Sequence, residues 1–167
     1  MRLAIVALTF GIAHAAAQEP KVLYFPTPQA AVDTMLEMAE IKSDDVLIDL
    51  GSGDGRIPIS AAKTYGIRAH GVDIDAELIE KSTENAKRDG VAEKVSFKQQ
   101  DIFETDLGGA TVITMFLLTS INDKLRPRLQ QLKPGTRVLS YGFGMSDWKP
   151  DRVERVDGRA VYLWIVR

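Results

Sequence analysis

The residues best suited to chemistry lie in one short run, Asp49-Leu50-Gly51-Ser52-Gly53-Asp54-Gly55-Arg56. An acidic residue, three glycines at alternate positions and then a helix-like run make a nucleoside-binding turn. Glycines let the backbone turn sharply and approach a ligand without a Cβ in the way. The helix that follows points unbonded N–H groups into the turn. A dinucleotide fingerprint would read G-x-G-x-x-G. Gly51 and Gly53 match it, but Arg56 holds the third glycine position and Gly55 comes one place early. A pyrophosphate would repel Asp49, whereas an ammonium or sulfonium beside it would be favoured. The loop therefore suits a cationic nucleoside better than NAD.

Two further acids fall at comparable places. Asp73 ends a second strand-like run, where a carboxylate can accept both ribose hydroxyls of a nucleoside; the plainer reading is a turn residue or helix cap. Asp75 is better placed to cap the next helix. Asp101 ends a third strand-like run and could accept from an adenine amino group while the backbone of Ile102 reads the ring edge. Ile74 and Ile102 would sandwich the ring, or else pack in the core. Asp49 either orients the loop by accepting its N–H groups or contacts the amino-acid portion of the ligand.

These residues need elements to hold them. Residues 21–28 read as extended, because Pro26 and Pro28 keep their predecessors out of helix. Thr27 is expected to cap a helix with Pro28 at its first position; Val32, Met35, Leu36 and Ala39 then recur at helical spacing. Strands are expected at 46–50, 67–74, 95–100, 111–118 and 137–141. Helices are expected at 57–65, 76–88 and 122–132, with Pro127 near the first turn of the last or kinking it. The near-continuous apolar run 111–118 suits a central strand buried on both faces. Strands near 152–156 and 160–166 should form a hairpin across Asp157-Gly158. The result is a single doubly wound, mainly parallel, seven-stranded α/β sheet with helices on both faces and a C-terminal antiparallel hairpin. Ligands in such Rossmann-like sheets bind outside the carboxyl ends of the strands, where all three acidic motifs fall.

The chain has 167 residues, 45% of them hydrophobic and 26% charged, enough for one globular domain. A net charge of −2 gives no basic character for nucleic acid or anionic membrane. The absence of cysteine excludes disulfides, thiolate zinc sites and a lipidated cysteine. Two histidines are too few to suggest a metal centre. Arg2, a short apolar run and small residues at A-x-A spacing make residues 1–17 a secretory leader, leaving 18–167 as the exported domain. The apolar run is too short to imply stable membrane insertion of the mature form. A misassigned start codon would instead leave the protein in the cytoplasm.

Taken together these residues resemble the class I, seven-strand methyltransferases that use S-adenosylmethionine (SAM). A narrower resemblance rests on Tyr24-Phe25-Pro26-Thr27-Pro28, the glycine loop through Ile57, residues 111–119, Leu125-Arg126-Pro127 and residues 132–138. These are similar to a family of small protein-lysine methyltransferases with archaeal, bacterial and mitochondrial members. The resemblance implies SAM as cofactor and a protein substrate with an accessible lysine. It implies that Tyr24 and Thr27 close over SAM, and that the strand end at 114–118 faces the transferred methyl. The family usually shows Ser-His-acid-Phe-acid after the fifth strand; here Ser140-Tyr141-Gly142-Phe143-Gly144 stands instead. Cofactor contacts are thus expected from Tyr24, Thr27, Asp49, Gly51, Ser52, Gly53, Gly55, Arg56, Asp73, Ile74, Asp101 and Ile102. Tyr24, Phe116, Tyr141 and Trp148 are the candidate aromatic wall of a lysine channel, and no residue stands out as a general base. A small-molecule methyltransferase and a non-catalytic SAM-binding module are the alternatives. The second is sharpened by export, because SAM is made in the cytoplasm. An NAD enzyme and a nucleic-acid methyltransferase fit less well.

Overall fold

The computed structural model describes residues 24–167, and the leader expected at 1–17 lies outside the described residues. Strands β1 (Val46–Leu50), β2 (Arg68–Asp73), β3 (Val95–Gln99), β4 (Val112–Met115) and β5 (Arg137–Tyr141) run parallel. β6 (Arg152–Val156) and β7 (Arg159–Ile165) form the antiparallel hairpin, and β7 pairs with β5. The hairpin turn takes positive φ at both Asp157 (49°) and Gly158 (79°), the twist a two-residue connection needs. Strand order is β3-β2-β1-β4-β5-β7-β6, so β1 and β4 meet at the centre, where the winding reverses.

Alternation along the strands builds a core on each face. Leu47, Val112 and Leu139 face helices α1 (Gln29–Met38) and α2 (Arg56–Tyr65), joined by Ala86 of α3 (Ala76–Arg88). Ile48, Leu50, Ile113, Met115 and Val138 face Leu125 and Leu129 of α4 (Thr119–Leu129). β4 is buried at every position, as its apolar sequence requires. The link from β3 to β4 contains no helix; Leu107 and Ala110 bury that stretch on the α4 face.

Three local expectations change. Pro28, not Thr27, is the N-cap of α1, and no side chain caps that helix. Thr27 is buried, and its carbonyl accepts from Arg56 Nη1 at 2.7 Å. α4 begins at Thr119, three residues earlier than its periodicity suggests, so Pro127 falls in the last turn. There it removes only one late hydrogen bond, and the helix continues past it. β4 stops at Met115, which releases Phe116, Leu117 and Leu118 toward the strand ends.

Candidate active site

A cleft of about 1310 Å³ opens at the carboxyl ends of β1, β2 and β4. The glycine loop forms its floor. Gly51, Gly53 and Gly55 all adopt positive φ (78°, 53° and 80°). Gly53 is needed for a second reason: a Cβ there would overlap the Tyr24 ring. The N-terminal segment can lie on the loop only because that position is bare. Gly51 and Ser52 donate their N–H groups to the Val72 carbonyl (2.9 Å each), and Gly53 donates to Asp73 Oδ2 (2.9 Å). The loop is thus held by β2 before any ligand arrives.

Arg56 fastens the segment above. Its Nε and Nη2 grip the Asp54 carboxylate at 2.9 and 2.6 Å while Nη1 reaches the Thr27 carbonyl. Burial works against ionisation of Asp54, but the hydrogen bonds and charge of Arg56 hold its carboxyl below the usual range. Partial burial and the neighbouring Asp54 charge push the Tyr24 phenol up.

Asp49 is 2% exposed and accepts from Thr114 Oγ1 at 2.7 Å. The two residues are register partners on β1 and β4, so their side chains share one face. Among the described residues this hydroxyl, not a loop N–H, is the hydrogen-bond partner of Asp49. Burial pushes its carboxyl up to about 7; Thr114 opposes the shift, and the charges of Asp73 and Asp54 add to it. A cation in the cleft would reverse that cost by favouring the carboxylate.

Asp73 accepts from Gly53 N through Oδ2 and from Asp75 N through Oδ1 (3.0 Å). Each oxygen has a second lone pair, so its turn role leaves capacity for ribose hydroxyls. Asp75 caps α3 through Glu77 N, as expected. Asp101 shapes its own turn through Phe103 N (2.8 Å). Ile74, 63% exposed, and Ile102 line the cleft and leave apolar surface for a planar ring. Ser52 Oγ is buried against the cleft and has no hydrogen-bond partner among the described residues. An unsatisfied hydroxyl, exposed apolar faces and clustered carboxylates are what a cationic nucleoside such as SAM would complete.

Tyr24, Thr27, Asp49, Gly51, Ser52, Arg56, Asp73, Ile74, Asp101, Ile102 and Phe116 all line the cleft, while Gly53 lies under the Tyr24 ring and Gly55 packs against Phe97 and Ser82. Two of the expected aromatic residues are elsewhere. Tyr141 is 2% exposed and lies behind Phe116, edge to face at 4.9 Å. Trp148 packs on Trp164 (5.9 Å) and accepts its indole N–H through the carbonyl, in the α4-side core. β5 points Tyr141 to the packed face, and the turn after it carries Trp148 away from the cleft. Asp54 and Phe103 line the cleft though they were not among the expected residues, and Thr114, expected only as part of the strand end at 114–118, contributes through its bond to Asp49. Asp54 lies inside the glycine motif, and Thr114 is betrayed only by pairing with Asp49.

A family model of the ANTKMT methyltransferase domain matches residues 49–152. The chain belongs to this family. It is a class I methyltransferase in sequence and in fold. The enzyme is 44% identical over 153 residues to a protein-lysine N-methyltransferase of Saccharolobus islandicus strain REY15A, covering 88% of this chain and 95% of the relative. It is 34% identical over 106 residues to the adenine nucleotide translocase lysine N-methyltransferase of Mus musculus, covering 62% of this chain and 46% of that longer protein. The methyltransferase also superposes on a Salinibacter ruber structure with a TM-score of 0.83 and 52% identity, covering 85% of this chain and 94% of the other. That protein is described as an RNA methyltransferase in complex with S-adenosyl-L-homocysteine (SAH).

Proposed function

We propose that this enzyme transfers the methyl group of SAM to lysine Nζ atoms of proteins. The observation that carries the reading is charge. Five aspartates line the cleft, Asp49, Asp54, Asp73, Asp75 and Asp101, and Arg56 is the one cation among the described lining residues. Arg56 is already engaged by Asp54 and the Thr27 carbonyl. Such a cleft attracts a sulfonium and an ammonium and repels a phosphate chain. The names of the Saccharolobus and mouse relatives support a lysine acceptor.

SAM supplies an electrophilic methyl group on a sulfonium, transferred by in-line displacement. Asp73 and Asp101 would hold the adenosine by its polar edges, Ile74 and Ile102 by its faces, and Asp49 would balance the positive charge. Tyr24, Thr27 and Arg56 would flank the bound cofactor from the N-terminal side. The chain then contributes mainly alignment. An acceptor lysine must shed its proton before attack, and the apolar surface of Phe116, Leu117 and Ile121 beside the cleft disfavours the ammonium.

RNA methylation is the second reading, favoured by the description of the Salinibacter protein. Full-length enzyme, methyl-labelled SAM and a panel of lysine-rich proteins separate the two, run with lysines free, with lysines blocked, and beside total RNA. Label on free-lysine protein alone is the expected result. Label on RNA, or on blocked protein equally, would overturn the lysine assignment.

A further inference from the structure

Beyond the cleft lining, the turn after β5 is pinned more firmly than a surface turn requires. Phe143 stacks on Phe116 with centroids 6.1 Å apart and planes 24° apart. Phe116 in turn lines the cleft and meets Tyr141 edge to face. Gly142 has φ of 76°, and a Cβ there would come within 3.2 Å of the Phe116 ring. A side chain at this position would be strained by the positive φ and would crowd the Phe116 ring. The turn backbone is held from below by Asn122, which is fully buried on α4. Its Nδ2 donates to the Phe143 carbonyl (3.1 Å) and the Gly144 carbonyl (3.3 Å), and Ser140 Oγ also donates to Phe143 O (2.7 Å). Nδ2 also lies 3.3 Å from Ser140 Oγ, whose own hydrogen goes to Phe143 O, so every facing atom accepts and the NH₂ side must be the one turned to them. Asn122 Oδ1 has no partner among the described residues. A buried side chain with its acceptor unsatisfied is kept for its two donors, and what those donors fix is the place of Phe143.

We propose that the stacked Phe116–Phe143 pair is the acceptor-side wall of the cleft, and that Asn122 is the positioning residue that aims it. This rests on the protein-lysine reading. Phe116 presents its cleft-lining ring to the incoming lysine stem and sheds water from it, and Phe143, stacked on that ring, fixes where it stands. The cleft-facing side of Phe116 holds a methylated ammonium through the ring quadrupole. Neither ring offers a hydrogen-bond acceptor, so the wall selects by apolar contact and shape. An acceptor lysine flanked by apolar or aromatic residues is admitted in preference to one in a run of charges.

Steady-state kinetics of Phe143→Ala and Asn122→Ala in the full chain, with the acceptor labelled by wild type, test this. SAH affinity by calorimetry and a thermal melt accompany each variant. Phe143→Ala should raise acceptor KM about tenfold while SAH affinity and melting stay within about twofold and a few degrees of wild type. Phe143→Tyr should restore most of the loss. Asn122→Asp should keep acceptor affinity while its buried carboxyl is protonated and can donate, and lose it as pH rises and that carboxyl ionises against the two carbonyls. If Asn122→Ala does not fold, Phe143→Ala alone decides. An unchanged acceptor KM in folded Phe143→Ala, or a loss confined to SAH binding, overturns the proposal. Wild type that labels no lysine overturns the underlying reading instead, and the two failures are distinct.

Discussion

Asp49 concentrates the electrostatics of the site. Its carboxyl sits at about 7 in the folded protein against 3.8 for the ordinary group. The folded chain therefore holds a proton there that the unfolded chain has released. Stability from this group is fully present below about pH 4 and is lost as pH rises through about 7. Asn at position 49 avoids the cost of ionisation. The stability advantage of unliganded Asp49→Asn over wild type should grow by up to about 4 kcal/mol between about pH 4 and pH 8. Thermal unfolding across that range checks it; a difference independent of pH would contradict the burial argument. At this scale Asp49, Asp73 and Asp101 were legible because each closes a strand within a recognisable motif. Asn122, Phe143 and Thr114 were not, because their roles depend on which neighbour the tertiary fold supplies. Trp148 was misread for the same reason: an aromatic near the last parallel strand can serve either face.

Among the elements, α4 joins the two halves of the site. Asn122 and Asp123 at its N-terminal half hold the turn after β5, with Asp123 accepting from Ser146 N and Oγ. At its C-terminal half Arg128 donates to the carbonyls of Ile102, Phe103 and Thr105. That clasp fixes the turn bearing Asp101 and Ile102. Arg128→Ala should weaken SAH binding about tenfold, since charge-assisted bonds to a cofactor turn are lost, and leave acceptor KM unchanged. Paired calorimetry and kinetics would show it, and unaltered SAH affinity would deny the clasp any role. The strands and α3 were readable from periodicity and from Asp75. The start of α4 was not, since Thr119, Ser120 and Ile121 give no apolar period and no capping side chain. Thr27 lines the cleft as expected but does not cap α1, because the cap falls one residue later at Pro28 and the Thr27 carbonyl is engaged by Arg56.

For the whole molecule, the seven-strand order places the reversal point between β1 and β4, and the acidic motifs gather there. The overall charge of −2 conceals this asymmetry; the cleft collects carboxylates while most cations lie elsewhere. The architecture was legible because alternating strand and helix patterns leave few alternatives. The cleft's composition was not, since it depends on which loops converge. The central claim is that this carboxylate-lined cleft selects SAM by its charge. Calorimetric titration of SAM and SAH into the full chain and into Asp49→Asn, near pH 8 and near pH 6, tests it most directly. Wild type should bind one SAM per chain and lose about tenfold of that affinity in Asp49→Asn. The gap should narrow near pH 6 as Asp49 protonates, and SAH should lose less than SAM. Equal SAM affinity in wild type and Asp49→Asn at both pH values would contradict the account.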